Sequence, residues 1–154
     1  MALDFPAGPT TNQIFTSGSA SWRFDSVKWL ANSAAQRFEL EVAASDETTA
    51  ITTGTGKVIF YMPAAITLTE VFVGLAGQST SGIVTVDVKK AGATIFSTLP
   101  SIGANADTSL AGSGSVAAVL STASFAKGDK TAIDVTAAGT AAKGLKVVML
   151  GTYN

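Results

Sequence analysis

Glu39 and Glu41 stand two residues apart in Phe38-Glu39-Leu40-Glu41-Val42, a spacing that puts both carboxylates on one face of a strand. Paired carboxylates of this kind serve hydrolysis or hold a divalent cation. The same alternation of apolar and acidic residues marks the solvent side of a half-buried strand, and the pattern favours that reading. Asp46-Glu47 forms a second pair, set in a Thr- and Ser-rich stretch that reads as a loop. Beyond the carboxylates the inventory is short. The chain has no His and no Cys, which excludes a Ser-His-Asp triad, a Cys-His pair, a disulfide and a zinc site of ordinary composition. Acid–base work would fall to Asp, Glu, Lys or Tyr tuned by burial.

Two further motifs have simpler explanations. Gly112-Ser113-Gly114-Ser115-Val116-Ala117 fits G-x-G-x-x-A, with Asp134 downstream. That dinucleotide fingerprint has meaning only between a strand and a helix. Here residues 107–111 make no strand and the neighbouring segments alternate with period two, so a glycine-rich loop is expected. Lys127-Gly128-Asp129 resembles an integrin-type tripeptide, but Gly and Asp are also what a turn into the strand at 131–135 requires. The 10 basic and 11 acidic residues are spread along the chain for a net charge of −1. No basic cluster extends beyond Lys89–Lys90, which argues against binding nucleic acid through its phosphates. No catalytic residue, metal ligand or cofactor is expected.

The elements that position these residues are strands. Charged residues are 14% of the chain against a usual share of about 25%. Gly, Ala, Ser and Thr take their place, a composition that suits a β-protein with small-residue surfaces better than helices. The 154 residues allow one domain with a real core, or one domain and a small appendage. The first six residues have neither a basic nor an apolar stretch of the signal-peptide type. The longest apolar run, 59–75, is broken by Pro63 and Glu70, short of the ~18 residues a membrane helix needs. A protein made in the cytoplasm, with no membrane partner, is therefore expected.

Three divisions follow. Residues 1–31 read as an aromatic β-meander arm, with strands at 13–16, 20–24 and 28–31 after a Pro/Gly-punctuated lead. Phe15, Trp22, Phe24 and Trp29 crowd this arm, and a meander so small is marginal alone. Residues 32–56 read as a connector with one short strand at 38–42. Residues 57–154 carry a dense β pattern: strands at 58–62, 66–76 with a bulge near Glu70, 82–89, a returning hairpin strand at 94–98, 132–135 and 145–150. The fold class expected is all-β, an antiparallel β-sandwich or jelly roll. Between Ala91 and Ala126 the single charged residue is Asp107, which suggests a buried contact between subunits.

Phe5-Pro6, Pro9-Thr10, Phe15-Thr16, Gly18, Trp22, Phe24-Asp25 and Trp29 are similar to a pattern near the start of many fibre and head-associated proteins of tailed bacteriophages. Ser26 stands where that pattern usually has glycine. Thr55-Gly56-Lys57, Met62-Pro63, 82–88 and 139–147 resemble a β-sandwich module of phage head fibres, decoration proteins and tail appendages. The resemblance implies a non-enzymatic structural protein of the virion, assembled in the host cytoplasm. It would bind and reinforce the capsid as a decoration (cement) or head-fibre protein, its partner the major capsid protein or another virion protein. A tail or baseplate appendage that docks fibres is the alternative, and a glycan- or cell-surface-binding module the third reading. Phe5, Phe15, Trp22, Phe24 and Trp29 are the candidate particle-docking residues. A homo-oligomer is expected, a trimer first, because shells offer three-fold sites.

Overall fold

The computed structural model describes residues 4–18, 20–31 and 37–154. The chain divides into two compact units, Met1–Gln36 and Arg37–Asn154. Among the described residues there is no helix, and every paired strand is antiparallel. The expected all-β class holds.

The first unit is a three-stranded meander: β1 (Ile14–Ser17), β2 (Ala20–Phe24) and β3 (Trp29–Ala31), with β2 central. Its tight turn at 25–28 is built by Asp25, whose Oδ1 accepts hydrogen bonds from the amides of Val27 (2.9 Å) and Lys28 (2.8 Å). Both bonds hold the Asp25 carboxyl below its ordinary range, that from Lys28 most.

The second unit is a β-sandwich. One sheet contains β4 (Arg37–Ala43), β6 (Ile66–Gly74), β12 (Ser124–Phe125) and β14 (Lys146–Tyr153), in the order β12-β6-β14-β4. The other contains β5 (Gly54–Tyr61), β7 (Ser81–Lys90), β10 (Ser101–Ile102) and β13 (Lys130–Thr140), in the order β10-β7-β13-β5. The short β8 (Ala93–Thr94) also pairs with β7, and β9 (Phe96–Thr98) pairs with β11 (Val119–Leu120). From β4 to β7 the long strands switch sheet in succession, and β13 and β14 divide between the two sheets, so β4, β6 and β14 face β5, β7 and β13. Period-two alternation explains the core. Leu68, Val71, Val73, Val147 and Met149 meet Val84, Val86, Val88, Ile133 and Val135, all at most 3% exposed.

The bulge expected near Glu70 is present. Leu150 pairs with Glu70 while Gly151 pairs with Leu68, leaving Thr69 as the extra residue. The inward parity therefore shifts from Ile66 and Leu68 to Val71 and Val73. A side chain at Gly151 would run into the Thr67 carbonyl oxygen, so the bulge fits only against glycine.

Two expectations are corrected. Residues 32–36 of the proposed connector lie outside the described residues, but 37–56 belong to the sandwich. β4 pairs along its whole length with β14, and β5 starts at Gly54. The stretch between them is pinned: Ala44 and Ile51 are buried, the Ile51 amide donates to the Ala142 carbonyl (2.8 Å), and the Leu145 amide donates to Ser45 Oγ (2.8 Å). Second, the returning hairpin strand at 94–98 stays with β7 only to Ile95, whose amide donates to the Val88 carbonyl (3.0 Å). Ile95 and Phe96 are consecutive and both buried, which one flat strand cannot provide, so the chain leaves β7 for β11. The interval 91–126 lacks charge partly for an internal reason, because Ile95, Phe96, Ile102, Ala106 and Phe125 enter the core. Leu110, Val116 and Val119 remain near half exposed.

Candidate functional site

The five aromatics singled out by sequence come together in the first unit. In β2, Trp22 and Phe24 share a face; Phe15 of β1 lies opposite Trp22, and Trp29 of β3 lies opposite Phe24. Phe5 folds in from the lead segment and touches three rings, with centroid separations of 5.1 Å to Phe15, 5.4 Å to Trp22 and 5.3 Å to Trp29. Phe15–Trp22 at 5.8 Å and Phe24–Trp29 at 5.4 Å complete the cluster. Tilted and edge-on pairs at such separations contribute about 0.5–1.5 kcal/mol each beyond the area they bury. All five side chains are half-buried, so they form the core of the meander as well as part of its surface.

The opposite face carries a cross-strand row that sequence reasoning did not single out. Ile14, Arg23 and Leu30 are register partners across β1, β2 and β3. Ile14 is 50% and Leu30 37% exposed, and Val27 at the turn is 83% exposed. The signal was available in the alternation, since these positions fall between the aromatics. Ile14 and Leu30 flanking Arg23, with Val27 exposed at the turn, make a surface suited to an apolar protein contact with a charged centre.

In the sandwich the polar chemistry is concentrated on the outer face of β7 and β13. Asp87 and Asp134 are register partners and both are buried. Lys89 Nζ sits 2.7 Å from Asp134 Oδ2 and 3.9 Å from Asp87 Oδ2. Thr94 Oγ1 donates to Asp87 Oδ1 (2.6 Å), and the Gly56 amide donates to Asp134 Oδ1 (2.6 Å). Burial pushes the Asp134 carboxyl up, but the bonds from Lys89 and Gly56 and the Lys89 charge outweigh it and hold the group below its ordinary value. The same partner raises Lys89. The Asp134–Lys89 pair therefore stays charged, and the cluster ties β5, β7, β8 and β13 together. Alternation assigns Asp87 and Lys89 to one face, but only the register brings Asp134 between them.

The other sequence candidates are also committed to structure. Glu39 and Glu41 line the exposed face of β4, with Glu39 Oε1 3.3 Å from Arg37. Asp46 Oδ1 accepts bonds from the Thr48 hydroxyl and the amides of Thr48 and Thr49, which hold its carboxyl well below the ordinary carboxylate range, the Thr48 hydroxyl most. Glu47 pairs with Lys146 at 3.1 Å. The 112–117 segment is a loop packed so closely on Gly103 that a side chain there would meet the Ser113 carbonyl oxygen. Lys127-Gly128-Asp129 is a turn with Gly128 at φ 88°, closed by the Ala126 amide on Asp129 Oδ2 (2.8 Å) and by Lys90 at 2.9 Å. Among the described residues no group of three or more Asp or Glu is placed to hold a metal ion.

A shallow pocket of about 180 Å³ lies beside β6 and β14, lined by Phe72, Leu75 and Val148 with Glu41, Asp107 and Lys146 at its rim. No family model, curated protein or solved structure matches the chain.

Proposed function

We propose that this chain is a non-enzymatic structural protein of a tailed-phage particle, which binds and reinforces the capsid as a decoration or head-fibre protein. The observation that carries the reading is the aromatic module. The residues that resemble the phage pattern, Phe5, Phe15, Trp22, Phe24 and Trp29, are the residues that pack into one ring cluster. That module is a separate unit, as a docking element would be. The sandwich supports the reading from a second side. Its sheet orders, β12-β6-β14-β4 against β10-β7-β13-β5, agree with a jelly roll, an architecture used by viral capsid domains. Fold alone does not assign function, and the weight rests on the module.

In this reading the rings hold the module together and the row Ile14–Arg23–Leu30, with Val27, meets the major capsid protein or another virion protein. The same rings weigh against a glycan site, because Trp22 and Trp29 are engaged by Phe5 and Phe15 within the cluster. A tail or baseplate appendage remains the second reading, since the pattern is shared by proteins of both locations.

The test uses shells stripped of the protein and the full chain. Leu30→Asp and Val27→Asp change exposed positions, and each variant is compared once its module is shown to be folded. Both tryptophans of the chain lie in it, which makes their fluorescence a report on that unit alone. The proposal expects folded variants that rebind shells at least tenfold more weakly, about 1.4 kcal/mol or more. Wild-type rebinding by both variants, or failure of the wild-type chain to rebind, would count against it.

A further inference from the structure

We propose that β5 is a pairing edge, at which a second copy of the chain adds its own β5 antiparallel about a two-fold axis through Ile59. The inference does not depend on where the protein sits, and its test needs no particle.

Among the described residues β5 ends its sheet, with β13 on one side and no strand on the other. The Met62 amide donates to the Asp129 carbonyl (3.0 Å), and the Gly128 amide donates to the Met62 carbonyl (2.8 Å). In an antiparallel ladder consecutive residues turn their amide and carbonyl to opposite sides. With Phe60 opposite Thr131 and Val58 opposite Ile133 in continuous register, Phe60 and Val58 bond to β13. Ile59 and Tyr61 therefore direct their amides and carbonyls to the open side.

The side chains along that edge make it unlike a protected one. Native edges are usually blunted by charge, and β4, the corresponding edge of the other sheet, exposes Arg37, Glu39 and Glu41. β5 exposes Ile59 (52%) and Tyr61 (64%), with Lys57 the one charge in the strand.

The occupant follows from self-complementarity. Antiparallel pairing centred on Ile59 sets Ile59 against its own copy and Lys57 of each chain against Tyr61 of the other. An aliphatic pair then stands between two cation–aromatic pairs, both favourable cross-strand combinations. Centring on Lys57 would oppose two like charges, and centring on Tyr61 would carry Ile59 against Pro63, which has no amide to give. The arrangement is isologous and closes as a dimer, in place of the trimer expected from sequence.

Sedimentation equilibrium of the full-length protein, from micromolar to near-millimolar concentration, reads the outcome directly. The wild type should approach twice the 15.5 kDa chain mass. Ile59→Lys, which sets like charges face to face at the axis, should weaken association about a hundredfold or more. Ile59→Pro offers a second route. Its missing amide points away from β13, where an edge strand tolerates proline, so the monomer keeps its fold by circular dichroism and the dimer is lost. A wild type that stays monomeric throughout, that forms a trimer, or whose dimer survives both variants would overturn the proposal.

Discussion

Ser26 shows how one residue can be legible and still surprise. It stands where the resembling phage pattern has glycine, and it adopts φ 87°, the left-handed conformation that glycine takes freely. The turn is kept because Asp25 bonds to Val27 and Lys28, not because residue 26 is comfortable. A left-handed non-glycine residue costs about 1–2 kcal/mol, part of which glycine returns through its freer unfolded state. Ser26→Gly should stabilise the meander by about 0.5–1 kcal/mol, read as a shift of the tryptophan-monitored denaturation midpoint. The carboxylates give a second prediction at this scale. Asp46, Asp129 and Asp134 are all held below the ordinary value of 3.8, Asp46 by the Thr48 hydroxyl and its neighbouring amides, Asp129 by Lys90 and the Ala126 amide, and Asp134 by Lys89 and Gly56 against its burial. A depressed folded value means the charged form stabilises the fold. That contribution is complete above the unfolded value and is lost as pH falls below it towards the folded one. With no histidine to titrate near neutrality, the melting temperature of the sandwich should be flat from about pH 5 to 7 and fall below about pH 4. A marked fall between pH 7 and 5 would mean that other groups govern its stability.

At the scale of elements, strands with clean alternation were legible and irregular segments were not. The inward set Val84, Val86 and Val88 and the bulge near Glu70 could be read from parity alone. β4 was recognisable as a strand from Phe38 to Val42, yet its place in the sandwich was not, because pairing to β14 is a contact across the whole domain. The Thr-rich stretch after it shows the same limit more sharply. Its polar composition suggests a loose link, while its order comes from partners about a hundred residues away, at Ala142 and Leu145. Burial of Ile51 at 7% exposure makes that stretch part of the core. Ile51→Ala should therefore cost the sandwich about 2–4 kcal/mol, the range for deleting a buried aliphatic side chain. A change below about 0.5 kcal/mol in urea unfolding, the usual surface effect, would mean the segment is the flexible link that composition suggests.

For the whole molecule, what the sequence allowed was the class, an all-β chain, while the boundary between its two units falls at Gln36–Arg37 and leaves no room for a connector over 37–56. The five candidate docking residues did come together, but as a shared core, and the exposed row beside them became visible only with the register of β1, β2 and β3. The carboxylate pair at Asp87 and Asp134 needed the register of β7 and β13 in the same way. The central claim is that this chain is a component of the particle. Quantitative mass spectrometry of purified phage particles, against labelled peptides of this chain and of the major capsid protein, tests it most directly. The account predicts a stoichiometry in fixed ratio to the shell protein, on the order of a hundred or more copies per particle, as symmetric shell sites require. Complete absence from purified particles would contradict it.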